Sequence, residues 1–215
     1  MACCARAADR IFGVDPGVGV NCCQPGKREA HMSYHCKTCG AIHPERPTCF
    51  GFEMPTVVSK LSNAERDRRV VISSDQCILD DEYFFILGTL DLPIQGSDEF
   101  LRWIAWSTLS RTSFERADEL WNIDGRESEP PYFGWLSNQI PGFPDSLHIK
   151  VRVHTQPLGC RPMFEVVEDG HPIGDAQRRG ITSEKADELI HVAQFGVAAD
   201  PRQDLAPHDS GAQSR

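Results

Sequence analysis

Two long apolar segments, residues 83–92 and 101–110, limit the folds that this chain can adopt. The two alternating faces of the second segment consist of Leu101, Trp103, Ala105 and Ser107, and of Ile104 and Trp106. Because large apolar side chains lie on both faces, a strand in this position must be covered on both sides. The segment therefore predicts a strand with both faces covered.

The neighbouring segments indicate further strands. Residues 76–79 are predicted to form a hairpin with residues 83–92, because the acidic tripeptide 80–82 between them favours a turn. Residues 147–153 alternate apolar and polar side chains, as a half-exposed strand does. Residues 161–167 are expected to pair with that strand and to extend the sheet.

Capping residues predict three helices. A capping box at residues 62–65 begins a short helix that should end near Val70. A second capping box at residues 112–115 begins another helix, and Thr182 or Ser183 caps a third. The predicted buried faces of the second and third helices are Phe114, Ala117, Leu120 and Trp121, and Ala186, Leu189, Ile190 and Ala193.

These elements indicate an α+β fold with a single domain, a mainly antiparallel sheet and flanking helices. The 215 residues, of which 40% are hydrophobic and 25% charged, suit one globular domain with ragged ends. We expect a disordered leader over residues 1–31, the globular domain over 32–196 and a disordered tail over 197–215, since neither end has apolar periodicity. Met32 adds the hypothesis that the natural start is there and that the leader is not native.

Composition also limits the compartment and the partners. No apolar run approaches the roughly 20 residues of a membrane-spanning helix, and Asp15 and Pro16 interrupt the apolar run where a signal peptide would need one. We therefore expect a cytoplasmic protein with reduced cysteines. The formal net charge of −9 opposes nonspecific binding to nucleic acid, whereas an acidic surface suits a protein partner.

The segment with the clearest chemical content runs from Cys36 through Cys39 and Gly40 to His43. A Cys-x-x-Cys turn brings two sulfurs within reach of one ion, and the following glycine relieves backbone crowding. His43 can supply a third ligand. Spacing alone leaves the fourth ligand open among Cys49, Cys77, His35 and His171. The segment therefore predicts a zinc-ribbon-like turn near the N-terminus.

Two other interpretations of this turn fit less well. A zinc knuckle for nucleic acid would add Cys49 as a ligand, but His43 comes one residue early and the basic flanking residues are missing. A redox dithiol normally begins a helix, and Gly40 and Pro44 argue against a helix here.

Familiar catalytic motifs are absent: the Gly-x-Ser-x-Gly elbow, the His-Glu-x-x-His helix and the Gly-x-Gly-x-x-Gly loop. The polar groups near predicted turns are Asp75, His148, His154, Arg161, Asp169 and His171. Histidine and aspartate can transfer protons, so an enzyme of unrecognised type is the alternative function. The aromatic residues that would suit contact with a partner are Tyr132, Phe133, Trp135 and Phe143.

Several unusual motifs resemble those of one bacterial family. They are the Cys36 to Gly40 turn with His43, and the segments at residues 74–77, 131–136, 141–145, 161–162 and 171–172. From His35 to about Ile190 the chain resembles the uncharacterised family called domain of unknown function 2199. The resemblance implies a fold but no activity. The family pattern has a cysteine where Cys77 stands, which favours Cys77 over Cys49 as a zinc ligand.

The sequence thus predicts a zinc-stabilised, non-catalytic interaction or regulatory protein, with a metal-assisted hydrolase as the alternative. The predicted metal ligands are Cys36, Cys39, His43 and Cys77. The predicted binding surface consists of Tyr132, Trp135, Arg161 and His171. Zinc is expected to be structural, and the expected partner is a protein.

Overall fold

The computed structural model of this protein describes residues 33–36, 40–43 and 46–196. The leader and the tail predicted from the sequence lie outside the described residues, and so does Met32. No helix in the described part is both long enough and apolar enough to cross a membrane. Cys77 is a free thiol, whereas Cys160 is disulfide-bonded, so the expectation of reduced cysteines does not hold for Cys160.

Strands and helices alternate irregularly along the described part. The strands are β1 (Tyr34–His35), β2 (Ile42–His43), β3 (Cys49–Gly51), β4 (Val70–Ile72), β5 (Gln76–Leu79), β6 (Tyr83–Pro93), β7 (Phe100–Leu109), β8 (Tyr132–Trp135), β9 (Lys150–His154) and β10 (Met163–Val166). The helices are α1 (Thr56–Ser59), α2 (Asn63–Arg69), α3 (Arg111–Glu119), α4 (Pro172–Arg179) and α5 (Ser183–Phe195), with a 3-10 turn at Arg126–Ser128.

One mixed sheet of eight strands forms the centre of the molecule. Its main path has the order β3-β7-β6-β10-β9-β8, and the β4-β5 hairpin joins through β6. The long β6 and β7 pair antiparallel from Phe84 with Leu109 to Pro93 with Phe100. Strand β10 joins β6 in parallel, and β3 joins β7 in parallel. The fold is therefore α+β, as the sequence predicted, with both parallel and antiparallel pairs in the sheet.

The sheet curls until β8 meets β7 again. An antiparallel bridge joins Ser107 to Leu136, and the backbone N–H of Ser137 donates to the carbonyl of Trp106 at 2.7 Å. The N–H of Trp135 donates to Oγ1 of Thr108 at 3.0 Å. The five strands β7, β6, β10, β9 and β8 thus enclose a small barrel-like core.

Apolar side chains fill both faces of the β6-β7 pair. Trp103 lies in a large cluster beneath α3, α4 and α5, whereas Trp106 lies in a smaller cluster covered by Val58 of α1. Both tryptophans are almost completely buried. The prediction of a strand covered on both faces is confirmed, because each face of β7 contributes to a separate apolar cluster.

Local signals located several elements correctly. The capping box of Ser62 with Glu65 starts α2, and the side chain of Thr182 caps α5. The predicted box at residue 112 is wrong, because Ser110 caps α3 instead by accepting from Ser113. The strand predicted from residue 147 begins at Lys150, since His148 has a φ of 67°, which a strand does not allow.

Candidate metal centre

The cysteine turn is closed by its own backbone. Strands β1 and β2 pair antiparallel, with Tyr34 opposite His43. The N–H of Gly40 donates to the carbonyl of Cys36 at 2.8 Å, and the N–H of Cys36 donates to the carbonyl of Ala41 at 2.9 Å. Gly40 has a φ of 71°, which favours glycine. The turn therefore holds Cys36 at its start, while Cys39 lies outside the described residues.

The thiol of Cys36 faces helix α5. Cys36 is fully buried, and its Sγ lies 3.9 Å from Nδ1 of His191. Thiolate and imidazole are the two ligand types that zinc favours in structural sites. The donor chemistry at this contact therefore fits zinc.

Aromatic rings surround this contact. The ring of His43 stacks on that of Tyr34, with 5.3 Å between the centroids, and lies 5.5 Å from the ring of Phe195. The ring of His191 lies 5.1 Å from that of Phe195. Burial raises the pKa of Tyr34, and the neighbouring Cys36 and Asp187 raise it further. His43 of β2 and His191 of α5 thus both contact the ring of Phe195.

An ion pair joins the chain after β2 to the first half of α5. Nε of Arg46 donates to Oδ1 of Asp187 at 2.8 Å, and Asp187 is only 8% exposed. The same guanidinium donates to the carbonyl of Ser183 at 3.2 Å and lies 3.6 Å from the carboxylate of Glu99. Charge-assisted bonds of this kind are stronger than neutral ones, so Arg46 fixes the chain after β2 against α5.

Cys77 occupies a different environment from Cys36. It lies on β5, fully buried in the smaller apolar cluster with Val58, Leu87 and Trp106. Helix α5, which Cys36 faces, belongs to the large cluster on the other face of the sheet. Among the described residues, no three His, Cys, Asp or Glu side chains form a group that could hold a metal ion. The structure therefore does not bring Cys77 together with Cys36 and His43.

The thiol of Cys77 should be chemically inert in the folded protein. Burial raises its pKa to about 12, so the reactive thiolate is scarce at mildly alkaline pH. We expect iodoacetamide to modify Cys77 at least ~100-fold more slowly in the native than in the urea-unfolded protein. Peptide mass spectrometry after timed alkylation measures both rates. Equal rates in the two states would contradict this placement of Cys77.

The four residues of the predicted binding surface lie in different local settings. Trp135 is exposed on β8, whereas Tyr132 is half-buried on the same strand and lines a small internal cavity. Nε of Arg161 lies 2.5 Å from Oδ1 of Asp75. His171 caps α4, because its Nδ1 accepts from the N–H of Ile173 at 3.2 Å, and its Nε2 lies 3.3 Å from the carbonyl of Pro144.

Sequence reasoning missed His191. The predicted buried face of α5, which consists of residues 186, 189, 190 and 193, does not include it. The adjacent stripe, Asp187, His191 and Phe195, has a spacing of four residues, which places these side chains in one row. This row of a carboxylate, an imidazole and an aromatic ring indicates a second face of α5 that makes contacts.

The fold and the turn together define a small α+β domain whose cysteine hairpin packs against helix α5. A family model described as an uncharacterized protein conserved in bacteria, domain of unknown function 2199, matches residues 35–181. The chain belongs to this family, and the resemblance inferred from the sequence is confirmed. No curated protein and no solved structure matches the chain. The matched residues include Cys36 and end before α5.

Proposed function

We propose that this domain is a zinc-stabilised, non-catalytic protein that acts in interaction or regulation, with Cys36, Cys39 and His43 among the zinc ligands. The observation that carries the proposal is the buried Cys36 thiol at the start of a closed Cys-x-x-Cys-Gly turn. Cys39 enters through its spacing in the sequence. Zinc bound here would hold the hairpin in one conformation, and its binding energy would add to folding.

Burial supports a structural metal over a catalytic one. A structural zinc is enclosed by four protein ligands, whereas a catalytic zinc keeps a position open to water and substrate. Cys36 has no exposed surface, and the rings of Tyr34, His43 and Phe195 lie around this contact. A buried sulfur is the setting expected of a structural zinc ligand.

Four of the six polar candidates for catalysis make contacts that stabilise the fold. Arg161 forms an ion pair with Asp75, and His171 caps a helix. Nε2 of His154 lies 2.8 Å from a carboxylate oxygen of Glu165 on the neighbouring strand. These contacts stabilise the fold, which supports a non-catalytic role.

An exposed aromatic pair supports the interaction role. Phe133 and Trp135, on the outward face of β8, are 51% and 40% exposed. Their rings meet edge to face, with 5.3 Å between the centroids. Aromatic side chains are enriched where proteins bind one another. With a formal net charge of −9 for the whole chain, the partner expected from charge complementarity is a basic protein.

Metal analysis of the purified full chain tests the proposal. We expect about one equivalent of zinc in the wild type and less than ~0.2 in Cys36→Ser. The variant's free energy of unfolding should fall by about 2–3 kcal/mol, and its melting temperature by about 5–10 °C. Cys49→Ser is the matched control, because Cys49 is half-buried on β3 and packs against the smaller cluster.

Two results would contradict the proposal. Less than about half an equivalent of zinc in the wild type would contradict zinc binding. Full zinc content together with an unchanged melting temperature after chelation would contradict a structural role and would favour a catalytic metal.

A further inference from the structure

A cleft of about 520 Å³ opens beside the end of strand β3. Its walls are residues 51–54 at the end of β3 and just after it, parts of helices α1 and α2, and residues 138–139 after β8. Pockets that bind small molecules commonly have volumes of about 300–1,000 Å³. The cleft is therefore large enough for a small organic ligand, and every residue that lines it belongs to the described part of the chain.

Hydrogen bonds fix the two loops of the cleft against the sheet. The side chain of Asn138, which is only 2% exposed, accepts from the N–H of Trp106 at 2.8 Å and donates to the carbonyl of Met54 at 3.0 Å. Nε1 of Trp106 donates to the carbonyl of Phe52 at 3.1 Å. Because these bonds hold both walls without a ligand, binding would require little ordering of the protein.

The lining contains one basic side chain, that of Arg66 on α2, which is half-buried. Its guanidinium donates to Sδ of Met54 at 3.4 Å and to the side-chain oxygen of Asn63. Both acceptors are neutral, whereas most of the described arginines form ion pairs with carboxylates. A thioether is a weak acceptor, and a carboxylate accepts from arginine in strong, often bidentate bonds. A ligand carboxylate would therefore bind Arg66 more strongly than the thioether of Met54 does.

The other lining residues distinguish between kinds of anion. Phe52 and Met54 line the cleft and pack against the smaller apolar cluster, so they offer apolar surface to a ligand. Glu53 adds one carboxylate to the lining, which opposes a dianion such as phosphate. A monoanion with a hydrocarbon part suits this combination of one cation, one carboxylate and apolar surface.

We propose that this cleft binds a small organic carboxylate, with its charged group on Arg66 and its hydrocarbon part against Phe52 and Met54. The ligand site goes beyond the interaction role proposed above. It does not depend on the zinc site, because no cysteine or histidine lines the cleft. Loss of zinc binding and loss of ligand binding can therefore be measured separately.

Nuclear magnetic resonance of the full chain labelled with ¹⁵N tests the proposal, with hexanoate as the probe. We expect hexanoate to shift the amide signals of residues 51–54 and 138–139 in a saturable way. Hexanamide has the same hydrocarbon chain without the charge, and it should bind at least ~10-fold more weakly. Inorganic phosphate should also bind at least ~10-fold more weakly, because of Glu53.

Three results of these titrations would contradict the proposal. If hexanoate leaves the signals of residues 51–54 unchanged, the cleft does not bind it. Equal affinities for hexanoate and hexanamide would show that the charge is not recognised. Binding of phosphate as tight as that of hexanoate would identify a general anion site and not a carboxylate site.

Variants of two arginines on α2 test the role of Arg66. Arg66→Gln should weaken hexanoate binding at least ~10-fold. Arg68→Gln is the matched control, because it removes the same charge from the same helix. Arg68 is exposed, does not line the cleft and donates to the carbonyl of Ala64 at 3.1 Å. Its substitution should leave the affinity within ~2-fold of the wild type.

A conservative pair of variants separates ligand binding from a structural role of Arg66. Arg66→Lys keeps the charge and the helix but loses the bidentate geometry, so it should weaken hexanoate binding by ~3-fold or more, while Arg68→Lys should not. The melting temperatures of both lysine variants should match that of the wild type. If substitutions at positions 66 and 68 change the affinity for hexanoate equally, Arg66 does not hold the carboxylate and the proposal is wrong.

Discussion

Replacing Arg126 with alanine is expected to lower the free energy of unfolding by about 3–5 kcal/mol. Arg126 is only 5% exposed. Its guanidinium donates to the carbonyls of Trp121 at 2.7 Å, Gln156 at 2.8 Å and Cys160 at 2.7 Å, and a fourth bond reaches Pro157 at 3.2 Å. Alanine would leave these carbonyls without their donor and would open a cavity, so the turn between β9 and β10 would lose its anchor.

Denaturation in urea measures this effect, with two variants for comparison. Arg126→Lys should fall between the wild type and Arg126→Ala, because one ammonium group cannot reach all four carbonyls that the planar guanidinium bridges. Arg116→Ala removes an arginine whose ion pair with Glu129 is partly exposed, so it should lower the free energy of unfolding much less than Arg126→Ala does. If Arg126→Ala lowers the free energy of unfolding no more than Arg116→Ala does, Arg126 does not anchor this turn.

Gly134→Ala on β8 is also expected to have a large effect, lowering the free energy of unfolding by ~3 kcal/mol or more. A Cβ on Gly134 would overlap the hydroxyl of Ser107 and the backbone carbonyl of Thr108. The β7 backbone is held on its other side by β6, so the strain would push β8 away from β7. The bridge between Ser107 and Leu136 would then be lost, and the curled sheet would open at this seam.

Gly51→Ala is the matched control for this substitution. Gly51 also lies in a strand beside β7, but a Cβ there would meet only Ile104, at an ordinary contact distance of 3.6 Å. We expect Gly51→Ala to change the free energy of unfolding by no more than ~0.5 kcal/mol. Thermal and urea unfolding of both variants test the difference, and equal stabilities for the two variants would show that the close approach at Gly134 is relaxed at little cost.

Much of the local structure could be predicted from the sequence because it depends on residues close together in the chain. The capping box of Ser62 and Glu65 involves one helical turn, and it starts α2 as expected. The apolar pattern of residues 101–110 placed β7 and showed that both of its faces are covered. Patterns of this kind report burial and local hydrogen bonding, which neighbouring residues largely decide.

Other features could not be found in this way. Nothing local indicates that β10 joins β6 in parallel or that β8 returns to β7. Helix α4 was not predicted, since its cap is a histidine, His171, and not one of the usual capping residues. The start of α3 moved to Ser110 because β7 ends at Leu109, and only the sheet fixes where that strand ends.

At the proposed metal site, too, some features follow from local sequence and others depend on tertiary packing. By itself the sequence determined that Cys36 begins a tight turn closed at Gly40, because a Cys-x-x-Cys-Gly segment carries that geometry within a few residues. Only the tertiary structure decided what faces the Cys36 thiol. The packing of α5 brings His191 to it across 155 residues and leaves Cys77 in the apolar cluster on the other face of the sheet. Such a contact depends on how distant elements pack, which spacing along the chain does not encode.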